Sequence, residues 1–197
     1  GGTAVGTGIT APRKYIFAAS EKLRELTGLG LARAEDLLEC TQNLDAFAEI
    51  SGILKTNATN LLKISNDLRL MNSGPKAGLG EIILPEVQAG SSIMPGKVNP
   101  VICEMTAQAS QRVISNDLTI SNCVSAGQFE LNSFMPLIAH SILESLDLLK
   151  NANFLFATKA VDGIQANIEG LQASVNNSFA CITALLPKIG YKKATDV

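Results

Sequence analysis

The sequence predicts an all-α protein, a bundle of long helices interrupted by one long loop. Apolar residues recur at helical spacing through most of the 197 residues, and runs of alternating apolar and polar residues, which strands would need, are scarce. The hydrophobic content of 46% is enough for a chain of this length to bury a core, in one domain or two small ones. Each predicted helix begins and ends where the helical spacing starts and stops.

A short helix is predicted over residues 15–26 and a long helix over residues 43–71. In the long helix, two parallel seams repeat every 7 residues, and one position of the second seam is polar: Phe47, Leu54, Leu61, Leu68 and Ile50, Asn57, Ile64, Met71. At 1.5 Å per residue this helix is about 40 Å long. The Ser-Gly-Pro sequence at residues 73–75 predicts its end, because glycine adopts a left-handed cap and proline cannot continue the hydrogen-bond ladder.

Two further long helices are predicted after the loop. One follows Pro100 at its first turn and runs to about residue 121, and its many Ala and Ser residues allow a close approach of neighbouring helices. The other runs from about residue 136 toward residue 161 and is apolar on more than one side, so we expect it to be buried on several sides; its main face is Ile138, Ile142, Leu146 and Leu149. Peripheral helices are predicted over residues 168–175 and 178–185.

Charge and composition exclude several classes of partner and site. The net charge is −2 with Lys and Arg dispersed, so neither nucleic acid nor an anionic membrane surface is expected as a partner. No apolar run approaches the roughly 18 residues of a spanning helix, and the first residues lack a basic segment followed by an apolar one, so we expect a cytoplasmic protein. The four cysteines are far apart and His140 is the one histidine, so we expect no metal site and reduced, buried thiols.

The stretch between the first two long helices, residues 74–100, is the one extended region without helical spacing. It contains four of the seven prolines and five of the sixteen glycines, which is why no helix is predicted there. Loops of this length in compact domains are usually functional or disordered. The apolar residues at 82–84 and 93–94 need somewhere to pack, so we expect an ordered, functional loop with a short strand over residues 81–84.

The end of this loop combines groups that suit a carboxylate ligand. Residues 90–100 read Gly-Ser-Ser-Ile-Met-Pro-Gly-Lys-Val-Asn-Pro, with glycines that let backbone approach a ligand, two hydroxyls, an ammonium and an amide, all leading into a helix N-terminus. A polar Gly/Pro turn between helices is the alternative interpretation of such a string. A phosphate-binding P-loop is excluded, because Val98 follows Lys97 where that motif needs Ser or Thr.

Residues 90–100 with Glu104 resemble the signature of the superfamily of aspartases, class II fumarases, argininosuccinate lyases and adenylosuccinate lyases. Further segments resemble the aspartase and fumarase branches in the same order along the chain: residues 1–8, 63–75, 80–82, 127–132 and 189–191. The resemblance implies the long-helix bundle of the aspartase/fumarase type. It assigns residues 1–160, including the catalytic loop 74–100, to the central helical-bundle domain, and residues 161–197 to the start of a small C-terminal helical domain.

The resemblance also implies a role for each polar residue of the loop. Enzymes of this superfamily remove a proton from the carbon beside a carboxylate, form an aci-carboxylate intermediate, and then expel a group to leave fumarate. Ser91 would be the general base, Ser92 would help to hold the reacting carboxylate, and Lys97 and Asn99 would bind the other carboxylate. Because the intermediate gains negative charge, the site must supply hydrogen-bond donors and positive charge where that charge develops.

Closure of the loop is expected to turn on Gly90 and Gly96, the predicted hinges. Glu104 resembles the superfamily glutamate that pairs with a histidine brought by another chain. His140 is not expected to be that histidine, because it lies inside the apolar pattern of a predicted helix, where a hydrogen-bonded structural histidine is the expected role. The resemblance implies no cofactor and no metal.

Several polar residues outside the loop are interpreted as structural. Lys63, Asp67 and Arg69 are expected to form ion pairs on the helix surface or between helices, and contact with the site is the alternative. Asn132 and Gln128 follow a glycine in a break between helices, where they would cap helix ends or line the pocket, and a structural role is preferred.

The residues that flank the loop resemble the aspartase branch more than the fumarase branch. Residues 34–37, 66–71 and 84–85 favour the former, which implies reversible deamination of L-aspartate to fumarate and ammonia. Cys103 before Glu104 resembles the fumarase pattern, so hydration of fumarate to malate stays an alternative. A helical assembly module without catalysis is the third interpretation.

Members of the superfamily are considerably longer than this chain, and each of their active sites gathers segments from three subunits of a homotetramer. We therefore expect the chain to be a piece of a longer protein, inactive by itself, with a small dicarboxylate as its ligand and copies of itself as partners. The helix seams would then be subunit surface.

Overall fold

A computed structural model describes residues 2–88, 90–91 and 93–196, and the fold is all-α, as predicted. The helices are α1 (Arg13–Thr27), α2 (Glu39–Gln42), α3 (Asp45–Met71), α4 (Val101–Ser125), α5 (Met135–Lys159), α6 (Ile168–Asn176) and α7 (Leu186–Thr195). Short 3₁₀ helices span Val161–Gly163 and Phe179–Leu185. Within the described residues the strands are two, β1 (Ile82–Ile83) and β2 (Gln165–Ala166).

The three long helices lie where the apolar spacing predicted them. α3 ends at Met71 before the Ser-Gly-Pro stop, and α4 continues to Ser125, four residues beyond the predicted end at 121. The segment predicted as a helix over residues 178–185 is a 3₁₀ helix, and helices α2 and α7 were not predicted. The predicted strand over residues 81–84 is confirmed as β1, whose partner β2 carries no strand signal in the sequence.

The buried face of α3 consists mainly of small residues rather than of the two predicted seams. Ser51, Ala58 and Ser65, again spaced by seven, are 2%, 0% and 0% exposed. From the predicted seams Leu61 is buried, whereas Phe47, Ile50 and Ile64 are between 41% and 45% exposed. Small side chains on the inner face allow neighbouring helix backbones to approach closely. Several of the larger apolar residues of α3 therefore face outward in the single chain.

Contacts divide the chain into two compact units: Gly1–Ala58 with Arg112–Leu149, and Thr59–Gln111 with Lys150–Val197. The first unit has an apolar cluster of Leu44, Ile120, Cys123, Ile138 and Ile142. Burying such side chains is the main favourable term in folding. The predicted domain boundary near residue 160 is a statement about the whole protein and stays a prediction.

A polar network also lies in the first unit. The buried carboxylate of Asp117 accepts hydrogen bonds from the Ser51 hydroxyl at 2.8 Å and the Lys55 ammonium at 2.6 Å. Asn116, also buried, donates to Glu144 at 2.8 Å. Together with the Arg112 guanidinium, this hydrogen bond from Asn116 holds the pKa of Glu144 below its usual range. Buried polar groups are thus paired between helices that are far apart in sequence.

The break between α4 and α5 is organised by Asn132, which is completely buried. Its Nδ2 donates to the Cys123 carbonyl at 2.9 Å, and its Oδ1 accepts from the Phe134 amide at 2.9 Å. Its own amide donates to the Thr41 carbonyl at 3.0 Å. Asn132 therefore closes the end of α4 and starts the turn into α5, which confirms the preferred structural role.

In the second unit, hydrogen bonds anchor the first half of the long loop. β1 pairs with β2 in antiparallel register, with Ile82 opposite Ala166. Asn72 Oδ1 accepts from the Leu84 amide at 2.9 Å, just after α3 ends. Asn167 caps α6 through the Gly170 amide at 3.2 Å and donates to the Gly80 carbonyl at 2.7 Å. The loop is consequently fixed at its start to the end of α3 and the start of α6.

Among the residues that the structure describes, no helix combines the length and apolar character needed to cross a membrane. All four cysteines are free; Cys103 and Cys123 are buried, and Cys40 and Cys181 are exposed. The prediction of buried thiols is therefore wrong for Cys40, on the short helix α2, and for Cys181, on the 3₁₀ helix Phe179–Leu185.

Candidate active site

The signature segment forms a compact turn that leads directly into α4. The Ser91 amide donates to the Lys97 carbonyl at 2.9 Å, and the Lys97 amide donates to the Met94 carbonyl at 3.2 Å. At the far end, the Asn99 carbonyl accepts from the Val101 amide at 2.9 Å. These bonds join Ser91 and Met94 to Lys97 across the turn. Ser91, the predicted base, and Lys97, the predicted cation, are therefore joined by a backbone hydrogen bond.

The two predicted hinge glycines have different structural tasks. A β-carbon at Gly90 would lie 2.8 Å from the Lys97 carbonyl oxygen, so only glycine lets the two segments approach this closely. Gly96 has φ +78°, in the left-handed region that side chains rarely adopt, with no neighbouring atom within 4 Å of a built β-carbon. A hinge role for either residue stays a prediction.

The hydroxyl of Ser91 faces two backbone donors. Its Oγ accepts hydrogen bonds from the amides of Ile93 at 3.2 Å and Met94 at 3.4 Å. The residue is half-buried. Two amide dipoles aimed at one oxygen favour negative charge on that oxygen. Ser92, the other predicted serine, lies outside the described residues.

Lys97, Asn99 and Glu104 line one open cleft of about 430 Å³ in the second unit. Its remaining lining comes mainly from the end of α3 and the turn that follows: Asn66, Arg69, Leu70, Asn72, Ser73, Gly74, with Val98 and Pro100 from the loop. Lys97 is exposed and Asn99 is half-buried, so both side chains are accessible to a small ligand. The structure thus brings together three of the predicted site residues, and Ser91 joins them through its hydrogen bond to Lys97.

Glu104 lies in the first turn of α4, and its carboxylate meets a cation of its own chain. Arg69 Nη2 lies 3.7 Å from Glu104 Oε1, and Arg69 Nη1 donates to Asn66 Oδ1 at 3.4 Å. Arg69 was expected in an ion pair on or between helices, and its contact with Glu104 lies between α3 and α4, whereas Lys63 and Asp67 form an ion pair one turn apart on α3 itself. The site role of Arg69 could have been recognised from its position one turn before the Ser-Gly-Pro stop, where α3 ends and the loop begins.

Cys103, beside Glu104, is 1% exposed, and burial raises the pKa of its thiol. A neutral, inaccessible thiol is a packing group rather than a nucleophile. His140 is exposed on α5, so the expected internal hydrogen-bonded role does not hold in the single chain. In the part of the chain that the structure describes, no three His, Cys, Asp or Glu side chains gather as a metal site would require. The absence of metal and cofactor stays an expectation.

Comparison with known proteins gives one family and several close relatives. A family model described as lyase matches residues 1–115. The chain is 46% identical over 194 residues to the aspartate ammonia-lyase of a Bacillus species, covering 98% of this chain and 42% of that protein. It is 48% identical over 198 residues to the class II fumarate hydratase of Corynebacterium efficiens, covering all of this chain and 42% of that protein.

Solved structures show the same similarity in three dimensions. The fumarate lyase:delta crystallin protein of Brucella melitensis matches 98% of this chain with a TM-score of 0.86 at 47% identity. The class II fumarase of Schistosoma mansoni matches 98% of this chain with a TM-score of 0.88 at 36% identity. In both cases less than half of the other chain is covered, 42% and 44%. The chain therefore spans about two fifths of the length of the relatives it matches.

Proposed function

The chain belongs to the lyase family, within the aspartase/fumarase superfamily, and from this premise we propose that it carries one part of the active site of an aspartate ammonia-lyase. The complete protein would convert L-aspartate reversibly to fumarate and ammonia. The observation that carries this proposal is the Ser91 hydroxyl, which accepts hydrogen bonds from two backbone amides. Lys97 and Asn99 of the same loop line an open cleft.

Binding of the substrate would start with its charge. L-Aspartate carries two carboxylates, and the Lys97 ammonium with the Asn99 amide offers a cation and a hydrogen-bond donor to one of them. Ser92 would help to hold the other, reacting carboxylate. Fixing both ends of a small substrate matters because correct positioning alone can supply roughly 7–11 kcal/mol of a barrier.

Proton removal would fall to Ser91. A serine hydroxyl is a weak base unless its alkoxide is stabilised, and the amides of Ile93 and Met94 already donate hydrogen bonds to this oxygen. Once the Ser91 hydroxyl has given its own proton to solvent, the alkoxide takes the proton from the carbon beside the reacting carboxylate, and the electron pair of the broken C–H bond moves onto that carboxylate as an aci-carboxylate. Closure of the loop at Gly90 and Gly96 would exclude water while this charge exists.

Release of ammonia completes the reaction. The electron pair returns from the aci-carboxylate to form the carbon–carbon double bond, the carbon–nitrogen bond breaks, and the ammonia that leaves takes up a proton as ammonium. Glu104 would act through a histidine contributed by another segment or subunit, as the superfamily pattern implies. Because that segment has no counterpart in this sequence, the chain alone is expected to be inactive.

Class II fumarase activity is the second candidate, favoured by the 48% identity to a fumarate hydratase. The same loop would remove a proton from malate, and water would leave in place of ammonia. A helical assembly module is the third candidate, but it gives no reason for the donors around Ser91 or for the cations of the cleft.

We place the complete protein in the cytoplasm.

We propose further that the complete protein is a homotetramer with composite active sites. Its support in the structure is the α3 apolar strip, Phe47, Ile50 and Ile64, which is more than two fifths exposed in the single chain. Exposed apolar residues along a long helix are typical of subunit surfaces. The site residues in this chain would then be completed by loops of other copies.

The test of the proposed function follows the absorbance of fumarate, with L-aspartate and L-malate in separate cells and with the complete protein and this chain alone. We expect fumarate from aspartate with the complete protein and none with this chain. Ser91→Ala should lower kcat roughly 100- to 10,000-fold, because it removes the base. Ser121→Ala, an exposed serine on α4, is the matched control and should leave kcat unchanged.

Each part of the proposal has its own contradicting result. Fumarate from malate but not from aspartate would make the protein a fumarase. Near-normal turnover by folded Ser91→Ala would assign the base to another group, and turnover by this chain alone would rule out the composite site.

A further inference from the structure

We propose that Arg69 is a positioning residue of this site, which orients the Glu104 carboxylate and compensates its charge so that the charge of Lys97 stays available to a dicarboxylate. This inference rests on the proposed function and adds a residue that the loop motif does not contain. It concerns the end of α3, which neither the motif nor the helix spacing marks as functional.

The geometry fixes Arg69 from two sides. Its Nη1 donates to Asn66 Oδ1 at 3.4 Å, one turn earlier on α3, while its Nη2 lies 3.7 Å from Glu104 Oε1 on the first turn of α4. Arginine presents its donors in a rigid planar fork, so a contact at one nitrogen sets the direction of the others. Asn66 thereby aims the guanidinium at Glu104.

The ion pair leaves part of Glu104 for another donor. It is made through Oε1, so Oε2 is the oxygen that a second partner, such as the histidine of the proposed composite site, would take. The side chains of Arg69 and Glu104 are 42% and 38% exposed, which leaves the pair accessible from the cleft. Ion pairs with this exposure contribute little to stability. Removal of Arg69 is therefore expected to change function far more than folding.

Charge balance in the cleft gives the second role. Lys97, Arg69 and Glu104 line the same cleft, which holds a net charge of +1 from these three side chains. Without Arg69, Glu104 would neutralise Lys97 and oppose the entry of a dianion. With Arg69 beside Glu104, the guanidinium compensates the negative charge of the Glu104 carboxylate. The Lys97 ammonium can then act on the ligand.

The first experiment measures succinate binding to the complete protein by calorimetry, because succinate is a dicarboxylate that cannot react. Arg69→Gln should weaken succinate binding roughly tenfold, the effect of one lost unit charge a few ångströms away at low ionic strength. The double variant Arg69→Gln with Glu104→Gln should recover most of the affinity, because the net charge returns to +1. Arg69→Lys should leave the affinity for succinate nearly unchanged.

Lys63→Gln is the matched control, since Lys63 is also a cation of α3 but pairs with Asp67 on the exposed surface. It should bind succinate as the unchanged protein does. A purely structural Arg69 predicts no recovery in the double variant. No recovery there, or unchanged affinity in Arg69→Gln, would overturn the charge-compensating role.

The second experiment measures turnover and separates kcat from KM. If Arg69 orients Glu104, the double variant should have the kcat of Glu104→Gln alone, whereas independent roles would multiply the two losses. Multiplying losses would overturn the orienting role. A protein that makes fumarate from neither aspartate nor malate would refute the proposed function, and the succinate series would still decide the role of Arg69 in the cleft.

Discussion

At Gly90 the backbone passes the Lys97 carbonyl so closely that a single added carbon is too large. That β-carbon would lie 2.8 Å from a backbone oxygen, which cannot turn aside as a flexible side chain could. The hydrogen bond from the Ser91 amide to the same carbonyl spans 2.9 Å, so both atoms belong to the turn that holds the proposed base. Replacing one α-hydrogen of Gly90 with a methyl group would therefore displace Ser91.

We expect Gly90→Ala to lower kcat/KM at least tenfold in the complete protein, because the turn must open and the amides of Ile93 and Met94 move with it. Gly52→Ala is the control, since a β-carbon at Gly52 in α3 would meet no neighbouring atom within 4 Å. Alanine there should raise stability by about 0.5–1 kcal/mol and leave kcat/KM unchanged. Steady-state kinetics and thermal unfolding of both variants test this, and equal activity of the two would show that the turn tolerates the larger residue.

Residue types and spacing in the sequence were sufficient to predict most of the site residues, but not which side chain contacts Glu104. Ser91, Lys97 and Asn99 stand in one unbroken motif, so their proximity follows from the chain itself. The contact between Arg69 and Glu104 joins two helices 35 positions apart, whereas the surface pair Lys63 and Asp67 lies one turn apart on α3. Only the packing of α3 and α4 distinguishes the two kinds of ion pair.

At the scale of the elements, apolar periodicity predicted the extent of α3, α4 and α5 and left their inner faces undecided. Large apolar residues mark a face that avoids water, but in α3 three of them, Phe47, Ile50 and Ile64, are exposed in the single chain. Its inner face is formed by Ser51, Ala58 and Ser65, whose small size allows close packing but gives a weak sequence signal. The short elements α2, α7 and β2 were missed because two to ten residues give too few repeats to establish a period.

The carboxylate of Asp117 is the clearest element-scale target, because it joins α4 to α3. Asp117→Ala would leave the Ser51 hydroxyl, which is 2% exposed, without its partner. We expect a loss of about 1–3 kcal/mol in the free energy of unfolding, measured by urea titration at fixed protein concentration. Asp147→Ala, on the exposed surface of α5, should change it by less than about 0.5 kcal/mol. If both variants unfold at the same urea concentration, the network is not a source of stability.

For the whole molecule, the notable feature is the amount of apolar surface that the single chain leaves in water. The α3 apolar strip has counterparts on α5, where Leu143 is 62% and Phe154 is 66% exposed. A protein that bore these residues on its surface as a monomer would be prone to association. The proposed homotetramer accounts for them as the inner surfaces of an assembly.

Sedimentation velocity tests the assembly directly. We expect the complete protein to sediment as a species of four times its chain mass. The double variant Ile50→Lys with Ile64→Lys should dissociate, because burying two ammonium groups against apolar neighbours is costly. Ile168→Lys, at an exposed apolar position on α6, should leave the mass unchanged. An unchanged tetramer in the α3 variant would place the subunit contact elsewhere.

The unequal exposure of the four thiols makes the chain convenient for fluorescence spectroscopy. Cys40 lies in the first compact unit and Cys181 in the second, and both are exposed, whereas Cys103 and Cys123 are buried. A maleimide dye pair would therefore attach at one position in each unit without any engineered cysteine, and the raised pKa of Cys103 further slows its labelling. Energy transfer between the two dyes would report any change in the separation of Cys40 and Cys181 when a dicarboxylate binds.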